Sequence, residues 1–214
     1  MASLTLLACV LFILLPVIRS DPDALQDYCV ADNAASSTGM NGIPCLNPAE
    51  VHAEHFKTSI LGIAGNTSGT GLAATPITPQ SMPGINTLGL TMIRFDIAPK
   101  GLIPPHSHPR ASEMVFVLRG HLSVGFVDTN GKFLSTKITP GDAFIFPRGT
   151  LHYLKNIGKV PVVLIGSFNS QNPGTNLVSL ALFASTPPIS DNILAQAFQI
   201  DVGQVEKIRK SFGG

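Results

Sequence analysis

Gly141-Asp142-Ala143-Phe144-Ile145-Phe146-Pro147-Arg148-Gly149-Thr150-Leu151-His152-Tyr153-Leu154-Lys155-Asn156 reads as a strand, a Pro-Arg-Gly turn and a second strand beginning at His152. Aromatic and β-branched side chains suit a pleated surface, whereas the proline and glycines interrupt it. His152 gains meaning from an earlier stretch, Pro104-Pro105-His106-Ser107-His108-Pro109-Arg110-Ala111-Ser112-Glu113. Residues two apart on a strand face the same side, so His106 and His108 can both reach into one interior. Glu113 follows five residues later, enough for a bend and a return into the adjoining strand. Imidazole nitrogens and a carboxylate are good ligands for manganese, iron, zinc or nickel. His106, His108, Glu113 and His152 are therefore the candidate metal ligands.

Outward from these two stretches, strand follows strand from Leu88 to about Ala184. Leu88–Ile97, Met114–Leu118, Leu122–Val127, Lys132–Ile138, Ala143–Phe146, Val162–Ser167 and Leu177–Phe183 each carry the residues that strands favour. Asp128-Thr129-Asn130-Gly131 reads as a hairpin and Thr139-Pro140-Gly141-Asp142 as a second turn. Short strands at such spacing predict an all-β sandwich or barrel. Residues 21–85, rich in Gly, Pro, Ser, Thr and Asn, read as an extended arm. After Pro187-Pro188, Ser190-Asp191-Asn192 can cap a helix over Ile193–Phe198, and Asp201 can start another with Val202, Val205 and Ile208 on one face. Helices this short need a surface to pack on, either the barrel or a neighbouring subunit.

The chain of 214 residues allows one substantial domain. A net charge of +1 with 13% charged residues argues against nucleic acid or an anionic membrane as partner. The run Leu4–Ile18 is shorter than the roughly 20 apolar residues that span a bilayer, and reads as a secretory signal cleaved near Ser20–Asp21; a signal anchor is the alternative. Cleavage removes Cys9 and leaves Cys29 and Cys45. In an oxidising compartment these can form one disulfide, closing a loop of about 15 residues and contributing on the order of 3 kcal/mol; two buried thiols are the alternative. Asn66-Thr67-Ser68 is a glycosylation sequon in a Gly-rich, loop-like setting. That Gly-rich stretch, 62–71, lacks the Gly-Lys-Ser/Thr of a phosphate-binding loop. His52 and His55 lack metal-protease spacing and read as surface or packing residues, and His121 as a solvent-facing turn residue.

The two quoted stretches resemble the paired motifs of the cupin superfamily, G-x5-H-x-H-x4-E-x6-G and G-x5-P-x-G-x2-H-x3-N. The second is met from Gly141 through Pro147, Gly149 and His152 to Asn156. In the first, His106, His108, Glu113 and Gly120 match, while the leading glycine position holds Lys100, with Gly101 beside it. Gln26-Asp27-Tyr28-Cys29-Val30-Ala31-Asp32 and Asn41-Gly42-Ile43-Pro44-Cys45 also resemble the N-terminal boxes of plant germin-like proteins. This resemblance implies an all-β cupin jelly-roll β-barrel and a manganese ion on His106, His108, Glu113 and His152. It further implies a Cys29–Cys45 disulfide and a secreted protein of the apoplast or cell wall. The expected assembly is a homo-oligomer, a hexamer built as a trimer of dimers. The implied organisation is a signal peptide over 1–20, an N-terminal arm over 21–85, the barrel over 86–186, and C-terminal helices for subunit packing over 187–214.

Three imidazoles and one carboxylate around a divalent ion leave a charge of about +1 and two open positions on an octahedral metal. A small anionic substrate or oxygen species suits such a site, and the expected activity is superoxide dismutation, in defence or stress. In the family's oxalate oxidases, asparagines three and thirteen residues before the first metal histidine orient the substrate. Here those positions hold Ile103 and Ile93, which donate no hydrogen bond, so oxalate oxidation is not expected. Two non-enzymatic readings stand beside catalysis: binding of a small auxin-like acid near Ile93, Phe95 and Ile103, or a structural wall protein. Arg119-Gly120-His121 stands in place of the family's adhesion-like tripeptide and weakens an adhesive reading.

Overall fold

The computed structural model describes residues 26–35 and 42–213, so the signal peptide read over residues 1–20 lies outside the described residues. Ten strands form the body: β1 Leu72–Pro76, β2 Thr91–Ile97, β3 Leu102–Ser107, β4 Glu113–Arg119, β5 Leu122–Val127, β6 Phe133–Ile138, β7 Ala143–Phe146, β8 Leu151–Asn156, β9 Val162–Phe168 and β10 Asn176–Leu177. They make two five-stranded sheets, β1-β2-β9-β4-β7 and β10-β3-β8-β5-β6. All pairs are antiparallel. From β2 to β5 and again from β7 to β10 the chain passes from one sheet to the other at every step. That alternation is the jelly roll expected from the motifs, and it brings the two motif stretches together.

Burial alternates along β4 and β9, as a period of two requires when one face meets a core and the other does not. Val115 and Val117 of β4, Leu122 and Val124 of β5, Leu154 of β8 and Leu164 of β9 are almost wholly buried between the sheets. The turns follow their chemistry. Asp128 Oδ1 accepts from the amides of Asn130 and Lys132, and Asp142 Oδ2 accepts from Thr139 N at 2.8 Å.

Three readings need correction or refinement. Leu177–Phe183, expected as a strand, pairs only at Asn176–Leu177 and continues as helix α1, Val178–Phe183. β10 is a sheet edge two residues long, and Leu180, Ala181 and Leu182 are good helix formers once pairing ends. The strand expected from Leu88 starts at Thr91, because Thr87 and Gly89 take positive φ values of 64° and 66° in a turn. β1 comes from the segment read as an arm and pairs with β2 over its whole length. The C-terminal helices are α2, Asp191–Phe198, and α3, Val202–Ser211. Asp201 and Gln204 form a reciprocal capping box at the start of α3.

The N-terminal segment is tied to this body at several points. Cys29 and Cys45 form a disulfide, and Ala31 bridges to Cys45. Buried Asn86 donates to Ile43 O at 2.7 Å and accepts from Ile43 N at 3.1 Å. Arg94 and Asp96 pair at 2.7 Å, while Arg94 Nη1 donates to Leu61 O and Asp96 Oδ2 accepts from Gly65 N. Gly65 must be small there, since a Cβ would lie 2.4 Å from that of Ala73.

Candidate metal centre

β3 contains two consecutive prolines, which cannot donate to a sheet ladder. The β3–β8 register shifts between Ile103 and His106, and beyond the irregularity His106 lies opposite His152. His108 follows the end of β3, and Glu113 opens β4 opposite Phe146 and Phe168. One ligand atom from each of His106, His108, Glu113 and His152 lies within 4.8 Å of the other three, and all four residues are buried. Among the described residues this is the one such grouping. It joins side chains from both sheets.

Each imidazole has its Nδ1 on a backbone carbonyl: His106 on Pro104 O at 2.8 Å, His152 on Thr150 O at 2.8 Å, and His108 on Gly174 O at 2.5 Å. A carbonyl can only accept, so each Nδ1 carries the proton, and Nε2 is left to face the centre. Glu113 Oε2 sits 3.1 Å from His152 Nε2 and 3.3 Å from His108 Nε2. His108 Nε2 is buried with no aligned hydrogen-bond partner despite that short distance. Neutral imidazoles would thus direct lone pairs at a carboxylate oxygen and at one another. A divalent cation resolves that repulsion; the donor set fits one.

The electrostatics favour a neutral imidazole at His106 but not at His108. Burial, with the neighbouring His152, pushes His106 down to about 4, keeping it neutral. Burial also opposes charge on His108, but the Glu113 carboxylate and the Gly174 carbonyl outweigh it and raise that imidazole. Burial alone would raise Glu113; the adjacent His108 and His152 imidazoles outweigh it and hold its carboxyl below the ordinary range.

The walls are apolar. Phe146 stacks on His152 with centroids 4.3 Å apart, and Phe168 meets the His108 ring edge-on at 4.9 Å. Gly166 of β9 is a site residue that the sequence reading missed. A Cβ there would approach Glu113 Oε1 and Phe95 Cε2 to 2.9 Å each. Its signal was present as a lone glycine within a β-branched strand, the mark of a close approach. Phe95 and Ile103 belong to the core cluster and Ile93 packs against it. His121 is exposed, His52 and His55 cap a short 3-10 turn, and none of the three joins the cluster. Asn66 is exposed, its Oδ1 accepting from Ser68 N.

A jelly roll with three histidines and a glutamate turned inward from its two motif hairpins is the architecture of a cupin, and the Cupin family model matches residues 60–206. The chain is 49% identical over 194 residues to Germin-like protein subfamily 2 member 1 of Arabidopsis thaliana, covering 90% of this chain and 88% of that protein. It is also 49% identical over 191 residues to the Rhicadhesin receptor of Pisum sativum, covering 89% of this chain and 88% of that protein. Among solved structures, oxalate oxidase in complex with the substrate analogue glycolate superposes with a TM-score of 0.86 at 42% identity, covering 91% of this chain and all of that one. The chain belongs to the germin-like proteins of the cupin family.

Proposed function

We propose that the protein is a secreted manganese-binding germin-like protein that dismutates superoxide, with His106, His108, Glu113 and His152 as the metal ligands. The observation that carries this reading is the set of three imidazoles whose Nδ1 protons are committed to carbonyls while Nε2 and one carboxylate oxygen converge. Bound there, manganese would supply the one-electron couple between +2 and +3 that turns one superoxide into dioxygen and the next, with two protons, into hydrogen peroxide. The protein's part is to hold the ion at a net charge of about +1, which favours small anions, inside aromatic walls that limit access. Ile93 and Ile103 offer an oxalate carboxylate no donor, so this chain is assigned no oxalate oxidation although a structural neighbour is an oxalate oxidase.

Extracellular placement rests on the disulfide, which oxidising compartments sustain, on the exposed sequon asparagine and on the leader-like run Leu4–Ile18. No helix among the described residues is long and apolar enough to cross a membrane. Homo-oligomerisation, for which the family resemblance implies a hexamer, draws support for self-association from the outer face of the first sheet. There Met114, Phe116, Leu118 and Ile145, on the adjacent strands β4 and β7, and Met92 on β2 are more than a third exposed, more apolar surface than a solvated face ordinarily carries.

The test is superoxide dismutation by the secreted, manganese-loaded protein beside His152→Ala. Activity that needs both metal and His152 supports the reading. Equal inactivity of both, with the wild type holding its metal, removes the enzymatic reading and leaves ligand binding or a structural role. Hydrogen peroxide formed from oxalate by the wild type would overturn the assignment against oxalate.

A further inference from the structure

His106 and His152 take their orienting carbonyls from residues two positions upstream, Pro104 and Thr150, which the strand itself fixes. His108 takes its carbonyl from Gly174, which is 66 residues away in the loop between β9 and β10. A remote acceptor stays in place only if something fastens its loop. Arg110, two residues beyond His108, does so. Its Nε donates to Asn172 O at 2.7 Å, its Nη2 to Asn172 Oδ1 at 2.8 Å, and its amide to Pro173 O at 3.1 Å. Gly174 has a φ of +66°, and a Cβ on it would come within 2.8 Å of the guanidinium. The loop therefore passes directly against the arginine at the residue whose carbonyl reaches His108. Nearby, Ser112 N donates to Asn169 Oδ1 and holds the start of the same loop.

We propose that Arg110 is a positioning residue of the metal centre: by clamping Asn172 and Pro173 it holds the Gly174 carbonyl on His108 Nδ1, which fixes the tautomer and aim of that one ligand. The inference rests on the metal reading above. Arg110 itself is solvent-exposed and touches none of the four ligand atoms' partners except through this loop. The two side-chain bonds need a planar guanidinium, so lysine, with its single ammonium, does not replace it.

The experiment compares the full-length wild type with Arg110→Ala and Arg110→Lys. It uses zinc as a diamagnetic probe, so that the three imidazole tautomers can be read by nitrogen–proton NMR, and measures zinc and manganese(II) affinities by calorimetry. The expected result is a loss of metal affinity of about tenfold or more in both variants. The His108 Nδ1–H signal should shift or exchange faster, while those of His106 and His152 stay in place and the far-ultraviolet dichroism is unchanged. Wild-type affinity in both variants, or equal disturbance of all three histidines, overturns the proposal. So does full recovery in Arg110→Lys, which would leave charge as the operative property. A wild type that binds neither ion refutes the metal reading instead, while the metal-free NMR comparison of the three histidines still decides whether Arg110 positions His108.

Discussion

Gly166→Ala is a one-carbon perturbation aimed at a ligand that the glycine never coordinates. The added Cβ would stand 2.9 Å from Glu113 Oε1, 2.9 Å from Phe95 Cε2 and 3.2 Å from Phe168 Cε2. Ordinary carbon contacts begin near 3.4 Å, so the carboxylate and the rings must each yield by several tenths of an ångström. Glu113 has no free direction. It is 1% exposed, and its other oxygen is held between His108 and His152. Overpacking of this kind costs about 1–3 kcal/mol. In a domain of this size each kcal/mol lowers Tm by about 2–4 °C. Metal–ligand distances hold to within about 0.2 Å of their ideal values, so the same movement should weaken manganese(II) binding measurably. Scanning calorimetry and a metal titration on the purified variant measure the two effects separately. Wild-type values of both would refute the reasoning. A lowered Tm with intact affinity would place the strain on Phe95 and Phe168 and free Glu113 from it.

Lys100 adopts a φ of +67°, a left-handed conformation costing about 1–2 kcal/mol for a residue with a Cβ, against about 0.5–1 kcal/mol of extra chain entropy lost by glycine. Lys100→Gly should therefore raise Tm by a degree or more, and an unchanged or lower Tm would show that the lysine side chain contributes to the fold. Arg94 holds the Asp96 carboxyl below its ordinary range by hydrogen bonding. A lowered folded value contributes stability that is complete above the unfolded value near 4 and is lost as pH falls through the folded one. Asp96→Asn should cost about 3 kcal/mol in urea unfolding at pH 7, with a gap that narrows below about pH 4; a gap constant down to pH 2 would contradict the pairing. Manganese at a hundred times its Kd should stabilise the wild type by about 2.7 kcal/mol, a shift that a chelator reverses and that His152→Ala lacks; no shift in the wild type would mean that the cluster holds no ion.

The clustering of the four candidate ligands was legible because residue type and a period of two act over a few positions. His106 and His108, Glu113 and His152 needed only strand alternation and one bend each. The turns at Asp128 and Asp142 were legible for the same reason, their side chains bonding amides a few residues away. Leu177–Phe183 was not, because an apolar run without clear periodicity takes its structure from whether a partner strand continues beside it. Lys100 looked like a departure from a glycine motif, and the backbone keeps the glycine conformation there regardless. Gly101 has the steric need instead, since a Cβ would lie 2.5 Å from Gly71 O. Asn156 was visible as a motif letter without a role. Its Nδ2 reaches the carbonyls of Ile97, Ala98 and Val160, fastening the β2–β3 and β8–β9 connections together. Carbonyls such as that of Gly174 leave no trace in residue type, so the environment of His108 could not be read before the fold.

His108 is for that reason the candidate ligand whose setting depends most on a remote loop. The other two histidines are oriented by their own strands, and His106 remains neutral down to about pH 4 because burial and its neighbour oppose a charge there. His108 shares the burial, yet the Glu113 carboxylate and the Gly174 carbonyl raise its affinity for a proton. The same carboxylate that makes the centre attractive to a cation also favours a proton on this imidazole. An imidazole binds a metal only in its deprotonated form, so metal affinity should fall with acidification. The loop that holds its Nδ1 acceptor is fastened by an exposed arginine outside the cluster. Control over the centre thus extends from a buried, locally built part, His106 and His152, to a surface-accessible part through His108, Gly174 and Arg110.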